Sequence, residues 1–407
     1  MNSLLISGFG TTIKVEKRKL TIDNQKSGVH HEFLPHQISY DSIIIDGHTG
    51  DISFEAIRWL TKHDIPVTVL NWNGNLLATI TPKEPNNGKL RVKQYEAYTD
   101  KKLRYFIASR ILEEKIGKSL ELLGELSKFY PIDISAVKKS FDKEGITLKS
   151  SREKPSLKIG FDINDLLMCE GKIAMIYWDN LQAIFQQLYP SFNFQGRKNK
   201  TYSWNMNASD EINAMLNYGY AILESVTRKN INTVGLDQSV GFLHELASSK
   251  TPLVYDLQEL YRWIVDLSVI QLLEEKKLGK KDFIVTENYH IRLRENTAKM
   301  FIEKIQENFN RKVSYKGKNY SYETIYQENV QKLANFLIGK NKELSFEIPS
   351  INYNRNDDKE LREKLMEIPL KDAKKIGLNK STLWYIQKNI REGRKIELYD
   401  KVLAKIV

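Results

Sequence analysis

DISFEAIRWLTKHDIPVTVLNWNGNLLATITP runs from Asp51 to Pro82. Ser53 is a good N-cap for a short helix over Phe54–Lys62, with Phe54, Ile57 and Leu60 about a turn apart. PVTVL (Pro66–Leu70) follows as a strand. Asn73-Gly74 then separates it from a second strand, Asn75–Thr81, and Asn-Gly between two apolar runs is a strong hairpin signal. Upstream, Lys19–Asp23 and SIIID (Ser42–Asp46) read as further strands, and Gly8-Phe9-Gly10 as a strand turn. Residues 1–82 are therefore expected to form a small β-rich domain carrying one helix.

PKEPNNG (Pro82–Gly88) breaks this pattern, and residues 83–91 read as a linker. From 92 to 339 the apolar period becomes helical. Tyr105, Ile107, Ile111, Leu112 and Ile116 begin one stripe, which Leu120, Leu122, Leu123 and Leu126 continue. Further helices are expected over Ile163–Leu188, Glu211–Arg228, Leu253–Glu274, Glu295–Phe309 and Tyr322–Ile338. FNFQGRKNKTYS (Phe192–Ser203) reads as a basic loop, and 340–366 as an irregular connection to a final region, 367–407. The expected fold class is α+β: a β-rich N-terminal domain, a larger all-α domain and a C-terminal helix-turn-helix.

The 407 residues are 41% hydrophobic and 28% charged, the balance of a soluble globular protein rather than a fibrous or disordered one. No apolar run approaches membrane-spanning length, and the opening MNSLLISGFGTTIKVEKRKL lacks a long apolar core, which points away from secretion. Cys169 is the only cysteine, so neither an internal disulfide nor a CxxC zinc site can form. The net charge of +11 favours a polyanionic partner, either nucleic acid or a membrane surface. Pro369–Val407 holds ten Lys/Arg and four Asp/Glu, about half of that excess. Within it lies AKKIGLNKSTLWYIQKNI (Ala373–Ile390). Ala373 precedes Gly377 by four residues, Leu378 is an apolar plug, and Asn379 can cap a second helix with Leu383 and Ile386 at core spacing. Lys380, Ser381, Tyr385 and Lys388 are left to face a DNA groove. An ordinary amphipathic helical hairpin is the alternative.

Acidic residues and histidines on apolar stretches are the anomalies in the helical region. Glu170 sits between LLMC and GKIAMIYW, His244 in VGLDQSVGFLHE, and Asp256 and Glu259 in PLVYDLQELYRW. If Leu253–Leu267 is helical, Asp256 and Glu259 share a face. A carboxylate on such a surface is costly unless paired, hydrogen-bonded or bound to metal. One histidine with two or three carboxylates suits Mg²⁺ or Mn²⁺ better than structural zinc. The structural alternatives are a Glu170 paired with Lys172 or Arg262 and a His244 satisfied within the core. His30, His31 and His36 cluster without a cysteine and read as loop surface.

The chain resembles the CRISPR-associated adaptation integrases (the Cas-one family), including the transposon-encoded integrases called casposases. The resemblance covers roughly residues 1 to 330. It rests on Asp51–Pro82, CEGKIAMIYW, DEINAMLNYGYAILES (Asp210–Ser225), GLDQSVGFLHE (Gly235–Glu245) and PLVYDLQELYRWIVD (Pro252–Asp266), in the family's order. The family's metal ligands fall by block match on Glu170, His244 and Glu259, with Asp256 as a further carboxylate at the metal. Trp263 stands where the family often has proline. The resemblance implies metal-dependent joining of DNA 3′-hydroxyl ends to target DNA, with Mn²⁺ or Mg²⁺ as cofactor. It implies double-stranded DNA as donor and target, a dimer or dimer of dimers, no membrane, and action in a prokaryotic cytoplasm at the nucleoid. Basic residues expected to cradle DNA near the metal are Arg197, Lys198, Lys200, Arg228, Lys229 and Arg262, with Lys115 and Arg104 approaching on a neighbouring helix. Trp204, Tyr218 and Tyr220 are core residues or base-stacking platforms. No GxxxxGK[ST] loop is present, in keeping with a transesterification that needs no nucleotide.

The C-terminal helix-turn-helix tilts the expectation toward a casposase, with a CRISPR spacer integrase acting with a small Cas-two partner as the alternative. A reading from another class is a DNA-binding regulator whose acidic residues are structural.

Overall fold

The computed structural model describes residues 1–24, 28–71, 74–82, 87–153, 162–197, 208, 210–246, 250–275, 278–286, 290–353 and 364–391. Two compact units are present, Met1–Tyr353 and Asn354–Val407. The first opens with a six-stranded sheet. Its strands are β1 (Ser3–Glu16), β2 (Lys19–Asn24), β3 (Val29–Phe33), β4 (Ser42–Ile52), β5 (Val67–Leu70) and β6 (Leu76–Ile80). They lie in the order β3-β2-β1-β4-β5-β6. β4 runs parallel to both β1 and β5, and helix α1 (Phe54–Lys62) makes the β4-to-β5 crossover. The Ser53 hydroxyl accepts from the Ala56 amide at 3.0 Å and starts that helix as expected.

Three local readings change. The buried face of α1 is Ala56, Trp59 and Leu60, while Phe54 is 79% exposed; the Trp59 indole donates to the Arg18 carbonyl at 3.1 Å. Gly8-Phe9-Gly10 is no turn: β1 continues through it, with register shifts against β4 on both sides of Phe9. His30 and His31 lie on β3, where His30 pairs with Asp23, and the His36 ring meets His63 at a tilt of 60° with centroids 4.8 Å apart.

Side-chain alternation divides the sheet between two cores. Ile43 and Val67 pack with Leu20, Ile22 and Leu60 under α1. Ile44 and Leu70, with Met1, join the large helical core instead. The helices are α2 (Gly88–Thr99), α3 (Lys101–Leu126), α4 (Ile134–Glu153), α5 (Ile163–Leu188), α6 (Glu211–Val234), α7 (Pro252–Gln258), α8 (Arg262–Glu275), α9 (Glu295–Asn310) and α10 (Tyr322–Leu337). α6 and α8 are buried on nearly every side, which makes them the centre of the bundle. α6 outruns its expected end by six residues and stops where Gly235 adopts φ 87°. The helical region is not all-α. Two short ladders interrupt it, β7 (Phe283–Val285) with β8 (Ile291–Leu293) and β9 (Lys312–Tyr315) with β10 (Lys318–Ser321). The expected helix Leu253–Glu274 is broken between α7 and α8. Among the described residues no helix is long and apolar enough to cross a membrane.

The second unit packs Leu365, Ala373, Ile376, Leu378, Leu383 and Ile386 together. Gly377 adopts φ 80° between Leu370–Ile376 and the helix Lys380–Arg391, and the Leu378 amide closes the turn on the Ala373 carbonyl at 3.0 Å. The element before the Gly377 turn, Leu370–Ile376, is a 3₁₀ helix.

Residues 341–353 run along α3, where Lys118 donates to the Pro349 carbonyl at 2.9 Å and Glu121 accepts from the Ile351 amide at 2.8 Å. Burial beside this strap pushes the Glu114 carboxyl up to about 7. A carboxyl whose folded value is raised binds its proton more tightly when folded, so stability falls as pH rises from about 4.5 to about 7. Glu114→Gln should therefore stabilise the protein by about 1–3 kcal/mol at pH 8.5 and by almost nothing at pH 4.5. Thermal unfolding at the two pH values measures this, and an equal effect at both would contradict it.

Candidate active site

Four segments meet at one cavity of ≈830 Å³. Its lining includes Glu170 from α5, His244 from the irregular stretch after α6, Glu259 from the α7–α8 break and Lys115 from α3, with Arg197 and Arg262 beside them.

The break that presents Glu259 has a local cause. In a continuous helix the Leu257 carbonyl would accept from Tyr261. Here it accepts from the Tyr326 hydroxyl at 3.1 Å and from the Leu260 amide at 3.2 Å. The Tyr261 amide turns to Gln258 at 3.0 Å, a tighter i→i−3 bond. Asp256 and Glu259 consequently have separate partners. Asp256 is fully buried and uses both oxygens on one loop. It accepts from the amides of Phe242, Leu243 (2.9 Å) and His244 (3.0 Å), and contacts His244 Nδ1 at 2.7 Å. It does not face the cavity as a ligand would. It fixes the imidazole so that Nδ1 is occupied and Nε2 remains for a ligand. Gly241 makes this possible: a Cβ there would lie 2.8 Å from Asp256 Oδ2 and 2.7 Å from Pro252 Cβ. Arg104 supports the loop from outside, donating to the Phe242 carbonyl at 3.0 Å and to Glu245 at 2.8 Å.

Lys115 Nζ lies 2.6 Å from Glu170 Oε1 and 2.7 Å from Glu259 Oε2. Glu170 is thus paired with neither Lys172 nor Arg262. Glu259 Oε2 is buried, and the Lys115 ammonium pairs with it at 2.7 Å. Arg262 holds the other oxygen at 3.0 Å. Burial opposes ionisation of Glu259, yet Arg262 and Lys115 together keep its carboxyl down at about 2. Burial likewise opposes charge on His244, but the Asp256 carboxylate raises its basicity.

Beneath these groups is a second layer. Arg262 lies over the Tyr220 ring at 4.2 Å, and Arg197 over the same ring at 5.2 Å. Arg197 also donates to Asn213 at 2.7 Å and Asn217 at 3.0 Å. Tyr220 and Tyr177 both donate to the buried Asp266. Asp266 and Tyr177 escaped the sequence reading, although Asp266 in WIVDLSVI is the same anomaly as Asp256, an acid in an apolar run.

Other expected residues lie elsewhere. Arg228 is outside the cavity lining and is tied to Glu224, Gln238 and Thr251 at 2.7–2.9 Å, and Lys229 lies 3.8 Å from Glu323. Tyr218 and Tyr220 are core residues, Tyr218 donating to Asp46 at 3.2 Å. Lys198, Lys200 and Trp204 lie outside the described residues. Lys380, Ser381 and Lys388 are exposed on the helix Lys380–Arg391, where Trp384 and Tyr385 are exposed as well.

Two carboxylates and an oriented imidazole on one cavity are a donor set of the kind that suits a hard divalent cation, and the Lys115 ammonium lies against both carboxylates. Among the described residues, no three His, Cys, Asp or Glu side chains are drawn together closely enough to hold a metal in this conformation.

The same chain has clear relatives. A family model, "CRISPR associated protein Cas1", matches residues 4–307. The CRISPR-associated endonuclease Cas1 1 of Archaeoglobus fulgidus is 27% identical over 350 residues, covering 83% of this chain and 97% of its own. That of Francisella tularensis subsp. novicida is 27% identical over 343 residues, covering 84% and 97%. Among solved structures, a casposase bound to integration product superposes with a TM-score of 0.77 and 36% identity, covering 90% of this chain and 99% of that one. A Cas1 protein from Thermotoga maritima superposes at 0.67 with 19% identity over 85% of this chain and 99% of its own, a likeness of fold. With a model match spanning well over half its length, the chain belongs to the CRISPR-associated protein Cas1 family.

Proposed function

We propose that this protein joins DNA 3′-hydroxyl ends to target DNA by metal-dependent transesterification, as a casposon integrase. The observation that carries this reading is the meeting of Glu170, His244 and Glu259 at one cavity. Its support is the 36% identity to a casposase captured on its integration product. Glu170 and Glu259 offer carboxylate oxygens, and Asp256 holds the His244 ring so that Nε2 completes the set. Bound there, Mn²⁺ or Mg²⁺ would polarise the phosphoryl oxygen and acidify the attacking hydroxyl. Arg262 and Arg197, braced on Tyr220, place positive charge where phosphates must approach. The 3′ oxygen forms a new bond to phosphorus as a target-strand P–O bond breaks, releasing a target 3′-hydroxyl. One phosphodiester replaces another, so no nucleotide is consumed.

In this reading the second unit is a DNA-binding helix-turn-helix. Lys380, Ser381, Tyr385 and Lys388 are exposed on one helix whose Leu383 and Ile386 are buried. The working form would be a dimer or dimer of dimers holding two DNA ends, in a prokaryotic cytoplasm. The second reading, a CRISPR spacer integrase with a small Cas2 partner, is favoured by the CRISPR-associated relatives at 27% identity. Dependence on such a partner separates the two.

The chain alone, given Mn²⁺, a short duplex and a supercoiled plasmid, should yield joined products. Glu170→Ala and His244→Ala should each lower the yield more than about 100-fold, since each removes a donor. Products persisting undiminished in both variants would refute the site, and a pure DNA-binding regulator would give none from the wild type. Asp256→Asn should cost about 10- to 100-fold in joining or in metal affinity by releasing His244. Full metal affinity and joining in that variant would show that the loop needs no carboxylate. Deleting Pro369–Val407 should reduce preference for the cognate DNA end while leaving joining of generic ends intact, and unchanged selectivity would count against the helix-turn-helix.

A further inference from the structure

Lys115 sits where a metal ligand set would need a cation. Its Nζ is 2.6 Å from Glu170 Oε1 and 2.7 Å from Glu259 Oε2, and its side chain is largely covered. Two carboxylates drawn this close would repel each other without a positive charge between them. α3 supplies that charge from a fixed position, roughly midway along the helix. A divalent ion must use the same oxygens, and an ammonium and a metal cannot both hold them. The displaced ammonium would then need another anion. Of the other acids on the cavity wall, Asp266 already accepts from Tyr177 and Tyr220, and Asp179 is exposed to solvent. A DNA phosphate entering beside Arg197 and Arg262 is the one new anion the reaction brings.

We propose that Lys115 is a tethered competitor for the catalytic cation, displaced from Glu170 and Glu259 when metal binds and received by DNA phosphate. The proposal rests on the metal-dependent reading above. Metal and DNA then bind cooperatively, because each stabilises the displaced lysine, and the coupling acts equally in both directions. Without DNA the ammonium occupies oxygens of both carboxylates and closes the site. With DNA the same ammonium adds to the positive charge around the reacting phosphate.

The test is Mn²⁺ titration calorimetry on the full chain, with and without a short duplex, the duplex's own Mn²⁺ uptake being subtracted. Wild type should bind Mn²⁺ at least about tenfold more tightly with DNA present. Lys115→Met should bind Mn²⁺ at least about tenfold more tightly than wild type without DNA, and DNA should no longer improve it. Lys115→Arg, which keeps the charge, should keep the DNA dependence. Reductive methylation with peptide mass spectrometry reads the same event in the wild type, should Lys115→Met fail to fold. Labelling of Lys115 should rise when Mn²⁺ is added. A Met variant that binds Mn²⁺ no more tightly than wild type, or Lys115 labelling that Mn²⁺ leaves unchanged, would overturn the proposal and leave the metal-dependent reading standing. No Mn²⁺ binding by any form would overturn both.

Discussion

The carboxylate of Glu259 is buried, and it is an anion only because Lys115 and Arg262 flank it. An isolated carboxylate in that position would take up a proton. The site follows from this constraint. α3 must lie close enough to deliver Lys115, α5 must place Glu170 on the same ammonium, and the α7–α8 helix must break so that Glu259 and Arg262 face the cavity. The break is held by long-range contacts: the Tyr326 hydroxyl takes the Leu257 carbonyl, and the Gln258 side chain reaches the Tyr220 carbonyl at 2.7 Å. The α6 and α10 helices thus help position a cavity-lining side chain they do not carry.

Asp256 shows a different use of a buried acid. Its charge is spread over three backbone amides and an imidazole nitrogen, which fixes a loop rather than a cation. Two acids three residues apart therefore have unlike tasks, one orienting His244 and one facing the cavity. Asp266 has a third, anchoring the two tyrosines under the guanidinium layer. The region reads as apolar helix with scattered acids, yet each acid answers a separate geometric need.

Much of this was legible in the residues. The limits of α5 came out as expected, because Asp162 caps its start and Pro190 follows its end. Glu170, His244 and Glu259 stood out as polar groups on apolar stretches. What escaped has a common cause, contact between distant segments. Nothing near Leu257 announces that Tyr326 will take its carbonyl, so a broken helix looked continuous. Lys115 is one lysine in a helix with several, and its choice of Glu170 across 55 residues is fixed only by packing. β1 was missed because its Gly8 and Gly10 positions disturb the alternation by which strands are read. The 3₁₀ form of Leu370–Ile376 is a difference of one hydrogen-bond step that sequence periodicity does not separate.

In the proposed reaction α5, the loop after α6 and the α7–α8 break act together on one cation beside a DNA terminus. Anomalous diffraction at the manganese edge, from the chain bound to a DNA end, tests it most directly. A single peak is expected within about 2.0–2.3 Å of Glu170, His244 and Glu259 together, with Asp256 still on His244 Nδ1. A peak held by Asp256 instead, or Glu170, His244 and Glu259 ligating separate sites, would contradict it.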